Sequence, residues 1–212
     1  MVLLAGVLAV FILHPLFVEE GRMGLFTRVL YFVVFCVGGY LLFDTKNWIV
    51  TYIVIAAPTL LLGIFKEALG DGSTQDMVEL VSKILTLVLQ LLLIVAVVRF
   101  SLFYELASKL DRIVAGICGY FILGLFWADA YEIVNMFCQD GFRTPEGVGP
   151  LPDDGSPLYY SFVTLTTLGY GDISPANSWT RMLGALQAIS GTLYIAILIS
   201  ALVSSRPSES KA

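Results

Sequence analysis

Residues 159–175 read YYSFVTLTTLGYGDISP. The stretch is apolar and threonine-rich as far as Leu168, then carries two glycines one residue apart, Gly169 and Gly171, and meets its first charge at Asp172. It continues an uncharged run that begins at residue 155 and is interrupted by Pro157. A helix needs about 20 residues to cross the hydrocarbon of a bilayer, so a run from 155 to 171 that ends in glycine does not cross. It is read as a re-entrant loop. On either side lie segments that are long enough, near 113–137 and 179–205, and further apolar segments stand near 2–18, 24–43, 47–65 and 77–98. The expected fold is all-α, with six transmembrane helices and one re-entrant loop between the fifth and the sixth.

Composition agrees with that count. The 212 residues are 58% hydrophobic and only 14% charged, and their mean hydropathy is +0.85, which a soluble core does not reach. Six crossings leave only short connections, so no large soluble head is expected. A net charge of −5 with 12 scattered basic residues argues against a nucleic-acid partner. Three cysteines, at 36, 118 and 138, and the single His14 are too dispersed for a zinc site. No basic segment precedes the first apolar run and no small-residue cleavage site follows it, so it is read as a retained helix, kinked or ended near His14-Pro15. Lysines and arginines divide almost evenly between the two sides, six against five, and leave orientation to the loop.

The run TTLGYGDI, residues 166–173, resembles the selectivity filter of the potassium channel family, whose TVGYG loop is the general example of a carbonyl-lined filter. In such a filter a dehydrating ion is met by several backbone oxygens at once, and alternate glycines let successive carbonyls turn toward one axis. The resemblance implies that Thr167, Leu168, Gly169, Tyr170 and Gly171 form K⁺ sites, the Thr167 hydroxyl completing the innermost. K⁺ is then the permeant ligand, with no cofactor and no other metal. Leu168 stands where the family more often has Val or Ile, Tyr159 where many relatives carry Trp, and Val163 where some have Glu. Tyr159, Tyr160, Val163, Thr166 and Asp172 are the implied filter supports. Tyr170 is expected to point into an aromatic cuff containing Tyr160, and the Tyr159 hydroxyl to reach Asp172. A pore helix, about Leu158 to Thr166, would point its C-terminal end at the membrane centre, where the helix dipole favours a cation. Gly191 is placed as a hinge glycine in the last helix, with close packing as the competing reading, and Ile195, Ile199 and Val203 as an inner gate.

Six spans with one such loop resemble the voltage-gated cation channel superfamily. The implied domains are a voltage-sensor-like region at 1–98, an interfacial linker helix at 99–112 with its apolar residues at helical spacing, a pore domain at 113–205 and a short cytoplasmic tail at 206–212. That tail is too short for a nucleotide- or calcium-binding gating module. The fourth span is poor in charge, with Lys83 inside it and Arg99 at its end. Moving one charge through 100 mV is worth about 2.3 kcal/mol and steep gating uses three or four, so little voltage dependence is expected. Glu79, one turn before Lys83, offers a local ion pair. The function implied is a passive K⁺-selective channel, a homotetramer in the cell membrane with cytoplasmic termini, and not an enzyme. A weakly selective cation channel and a non-conducting partner subunit or scaffold are the alternatives. Potassium uptake proteins use four degenerate copies of the loop in one chain, whereas this chain has one.

Overall fold

The structure is a computed structural model that describes residues 2–19, 50, 54, 56–59, 61, 62, 72–104, 108–152 and 155–204, with side chains from Leu3 to Ile12 in the first helix and up to Ala201 in the last. It is mostly helical: α1 (Val2–Glu19), α2 (Ser73–Phe103), α3 (Lys109–Phe137), α4 (Ser156–Leu165) and α5 (Ser178–Ser204). Helices α2, α3 and α5 are long and apolar enough to cross a membrane, and they cover the spans expected near 77–98, 113–137 and 179–205. Helix α1 continues through His14-Pro15 to Glu19. The span expected near 24–43 and most of the one near 47–65 lie outside the described residues, as do Asp153, Asp154 and the tail from Arg206.

A separate helix over 99–112 is not what the chain forms. Arg99–Phe103 prolong α2, and Lys109–Arg112 open α3. The break has a chemical cause. Ser108 stands at the N-cap of α3, where its hydroxyl oxygen accepts from the Asp111 N–H at 3.1 Å and so satisfies one orphan donor of the first turn. The Arg112 guanidinium then donates to the carbonyls of Ser101 (2.7 Å) and Leu102 (3.1 Å), which the end of α2 leaves without helical partners.

The segment between α3 and α4, rich in Gly, Pro and Asp, contains a hairpin. Strand β1 (Phe142–Thr144) pairs antiparallel with β2 (Gly147–Gly149), Phe142 opposite Gly149 and Thr144 opposite Gly147. Strand β3 (Ser174–Pro175) adds to the other side of β1, giving the order β2-β1-β3. The Thr144-Pro145-Glu146-Gly147 link, with Pro second and Gly fourth, suits a tight turn. Through β3 the chain just past Asp172 is tied to the end of α3. Ala176 N–H and the Thr180 hydroxyl both donate to the Gly141 carbonyl, at 2.9 and 2.7 Å, and strengthen the tie.

One buried cluster joins Leu3, Val7 and Val10 of α1, Ala56, which lies ahead of α2 in the chain, Leu89, Leu93 and Val97 of α2, and Ala115, Cys118 and Ile122 of α3. A second, at the sheet end, packs Tyr131, Phe142, Leu151 and Tyr160, so that α3, β1 and α4 share one aromatic core. Phe11 meets Phe162 edge-on at 4.4 Å and brings α1 against α4.

Candidate functional site

Helix α4 begins with Pro157 at its first turn and is clasped from three sides. Ser161 is wholly buried, and its hydroxyl donates to the Gly124 carbonyl of α3 at 2.7 Å. Gln187 of α5, also wholly buried, donates from its amide to the Ser161 carbonyl (2.8 Å) and hydroxyl (2.7 Å), and accepts from the Tyr131 hydroxyl at 2.6 Å. These groups answer one another, as buried polar groups must. The sequence reading passed over this network. Its signal was a glutamine in the middle of an apolar helix, a position where a polar side chain has to find a partner.

The C-terminal end of α4 is fixed just as closely. The Thr166 hydroxyl donates to the Phe162 carbonyl at 2.7 Å, Thr167 N–H to Thr164, and both Leu168 N–H (3.0 Å) and Gly169 N–H (3.3 Å) to the Val163 carbonyl. Val163 is itself buried. The Leu165 carbonyl accepts from the Tyr120 hydroxyl at 3.1 Å. A Cβ placed on Gly191 would lie 2.5 Å from that same carbonyl oxygen, so α5 approaches the end of α4 as only glycine permits. Helix α5 runs unbroken through Gly191. Ile195 and Ile199 are exposed on α5, and the Val203 side chain lies outside the described residues.

Beyond α4 the backbone alternates. Thr167 has φ +59°, Gly169 +59° and Gly171 +81°, while Leu168 and Tyr170 between them keep negative φ. A left-handed φ at every second residue lets successive carbonyls turn to one side, which ordinary extended chain does not give. Thr167 is the only non-glycine among the described residues with positive φ, and a β-branched residue there carries strain. All of 166–172 is exposed, Leu168 and Tyr170 by 55% and 67%.

At the sheet end of this segment the Tyr159 hydroxyl donates to the Asp172 carboxylate at 2.7 Å. That bond holds the Asp172 carboxyl below its ordinary range and is the main cause pushing the Tyr159 phenol up to about 12. Tyr160 packs not on Tyr170 but on Tyr131 (4.9 Å) and Phe142 (5.3 Å), and within one chain Tyr170 stands apart from that cluster. Lys83 sits on α2 in ion pairs with Glu79, at 3.4 Å, and with Glu132 of α3; Arg99 is exposed.

Comparison with known proteins bears on this part of the chain. Residues 152–205 match the family model described as an ion channel. A protein described as a potassium channel protein in Rhodopseudomonas palustris is 37% identical over 62 residues, 29% of this chain and 14% of that protein. A two-pore potassium channel of Arabidopsis thaliana is 39% identical over 46 residues, 22% of this chain and 11% of its own length. The chain thus spans a small part of the length of these relatives.

Proposed function

We propose that the chain is one quarter of a potassium-selective channel that conducts passively, with Thr167 to Gly171 as its filter. The observation that carries the reading is the alternating backbone at Thr167, Gly169 and Gly171, in an uncharged, exposed segment hung from the end of a clamped short helix. The match of residues 152–205 to an ion channel family and the potassium channels among the relatives support it. In this reading α4 is the pore helix and re-enters the membrane, and its C-terminal dipole and the converging carbonyls replace the hydration shell of K⁺. A non-helical segment at membrane depth is tolerated because it lines a water-filled path. Tyr159 and Asp172 brace the outer mouth, Tyr160, Val163 and Thr166 hold the filter from behind, and Ile195, Ile199 and Val203 surround the inner mouth below Gly191.

The tetramer lies in the cell membrane with six spans per chain and both termini cytoplasmic. Residues 1–98 are the sensor-like region, 99–112 the link to the pore, 113–205 the pore domain and 206–212 the tail. Lys83, held by Glu79 and Glu132, is not free to move through the field, so open probability should vary only shallowly with voltage. Single-channel recording of the purified protein in a planar bilayer, under bi-ionic K⁺ and Na⁺ with voltage steps, tests both points. The expected reversal potential lies close to the K⁺ equilibrium value. Equal passage of Na⁺ would favour a weakly selective cation pore, and no current at all a partner subunit.

A further inference from the structure

Outside the filter, the α2–α3 interface carries an unusual set of polar groups for the interior of a membrane protein. Lys83 of α2 is shared between Glu79 on its own helix and Glu132 on α3. Asp129, one turn from Glu132 and half-buried, takes its hydrogen bond from the Gln90 amide instead, at 2.5 Å. Among the described residues Lys83 is the single cation at this level, and two carboxylates already engage it. The side chains described in α1, Leu3 to Ile12, and all of α4 carry no charge, and α5 carries only Arg181 near its sheet end. Among the described residues, the charged groups acting on Asp129 are Glu132 and Lys83, with Glu79 beyond them.

Gln90 is wholly buried, and among the described residues its Oε1 has no hydrogen-bond partner. An ionised carboxylate only accepts, so it can answer the NH₂ of Gln90 but can never donate to the amide oxygen, which stays orphaned. A carboxylic acid has one acceptor and one donor and fits both edges of a carboxamide. We infer that Asp129 binds a proton, which it shares with the Gln90 side chain, so that the α2–α3 interface is a proton-binding site.

Access to it is built in. A cleft of ≈ 730 Å³ opens between α2, the end of α3 and the segment Pro150 to Pro152 that follows β2, and its lining includes Asp76, Glu79, Lys83 and Glu132. Asp129 and Gln90 are not part of that lining. Solvent thus reaches Glu132, one helical turn short of Asp129, and Glu132 is placed to pass a proton to and from it. The two helices are joined through a neutral acid–amide pair at depth and a charged pair nearer the water, and removal of the proton leaves a carboxylate without a cation in the dry part of the interface.

Infrared spectra of the whole chain in lipid nanodiscs at neutral pH test the inference independently of ion conduction. We expect a carbonyl-stretch band of a protonated carboxylic acid that shifts on carboxyl-¹³C labelling of aspartate, disappears in Asp129→Asn and persists in Glu132→Gln. Gln90→Met keeps the side chain's length without the amide, and there the band should move to the frequency of a more weakly bonded acid. That second variant decides the matter even where Asp129→Asn does not assemble. Absence of an aspartate-labelled acid band at neutral pH, or a band that Gln90→Met leaves unmoved, overturns the proton site.

Discussion

Tyr159 and Asp172 show how one hydrogen bond fixes a charge. The bond depresses the Asp172 carboxyl, so it is complete at any pH above the ordinary carboxylate range and is lost only as pH falls through the lowered value. Tyr159→Phe removes the donor, and the ¹³C-carboxyl titration of Asp172 should then shift to higher pH; an unchanged midpoint would show that the phenol does not govern it. Gly169 shows a different constraint. A Cβ there meets nothing within 4 Å, so space is not what demands glycine; the backbone is, at φ +59°. Holding a residue with a Cβ in that region costs roughly 1–2 kcal/mol. Gly169→Ala should therefore abolish K⁺ current in bilayer recordings through the backbone alone, and wild-type conduction in that variant would sink the filter assignment. The alternation of glycines was readable in the sequence because glycine advertises unusual backbone. The left-handed Thr167 was not, since nothing in a β-branched side chain announces a conformation that its own Cβ opposes, and the surrounding hydrogen bonds to Val163 and Thr164 impose it.

Helices α2, α3 and α5 were readable from hydropathy and length, because a spanning helix has to be apolar over its whole run. Their ends were not. The stop at Phe103 and the start at Lys109 depend on Ser108 and Arg112 meeting backbone groups that a pattern of apolar residues does not reveal. The hairpin at Phe142–Gly149 lay hidden in a stretch whose Gly, Pro and Asp content reads as loop, and its pairing with Ser174–Pro175 straps the chain just past Asp172. Helix α5 buries Thr180, Gly184, Gln187 and Gly191, a stripe at helical spacing, with Leu183, Ser190, Tyr194 and Leu198 half-buried beside it. Within that stripe Gly191 is held against the Leu165 carbonyl. Gly191→Ala overfills the contact and should cost about 1–3 kcal/mol, seen as a lower thermal dissociation temperature of the assembled protein. A pure hinge would behave otherwise, leaving stability unchanged and altering only the open times.

A single chain leaves unfinished surfaces of two kinds, and their chemistry says what finishes them. The segment proposed as the filter is exposed from Thr166 to Asp172, where one chain's carbonyls would meet an ion from one side only, and Tyr170 has no aromatic neighbour of its own chain in the Tyr160 cluster. Helix α5 exposes Trp179, Met182, Leu186, Ile189, Leu193 and Ile197 around the face that does not pack on α3 and α4. Lipid can cover the second surface, but it cannot supply oxygens to the first. Further copies of the same loop can, and a closed ring of identical loops requires cyclic symmetry. In the proposed channel one loop contributes one oxygen to each level of the filter, and four loops surround the axis. Native mass spectrometry of the protein released from nanodiscs should therefore read four copies of the 23.2 kDa chain. In that particle Tyr170 becomes buried, and its fluorescence or accessibility to nitration should fall relative to a dissociated control. A particle of one or two chains that still conducted K⁺ would require the ion to be enclosed by groups other than these carbonyls, and the filter reading would fall with the stoichiometry.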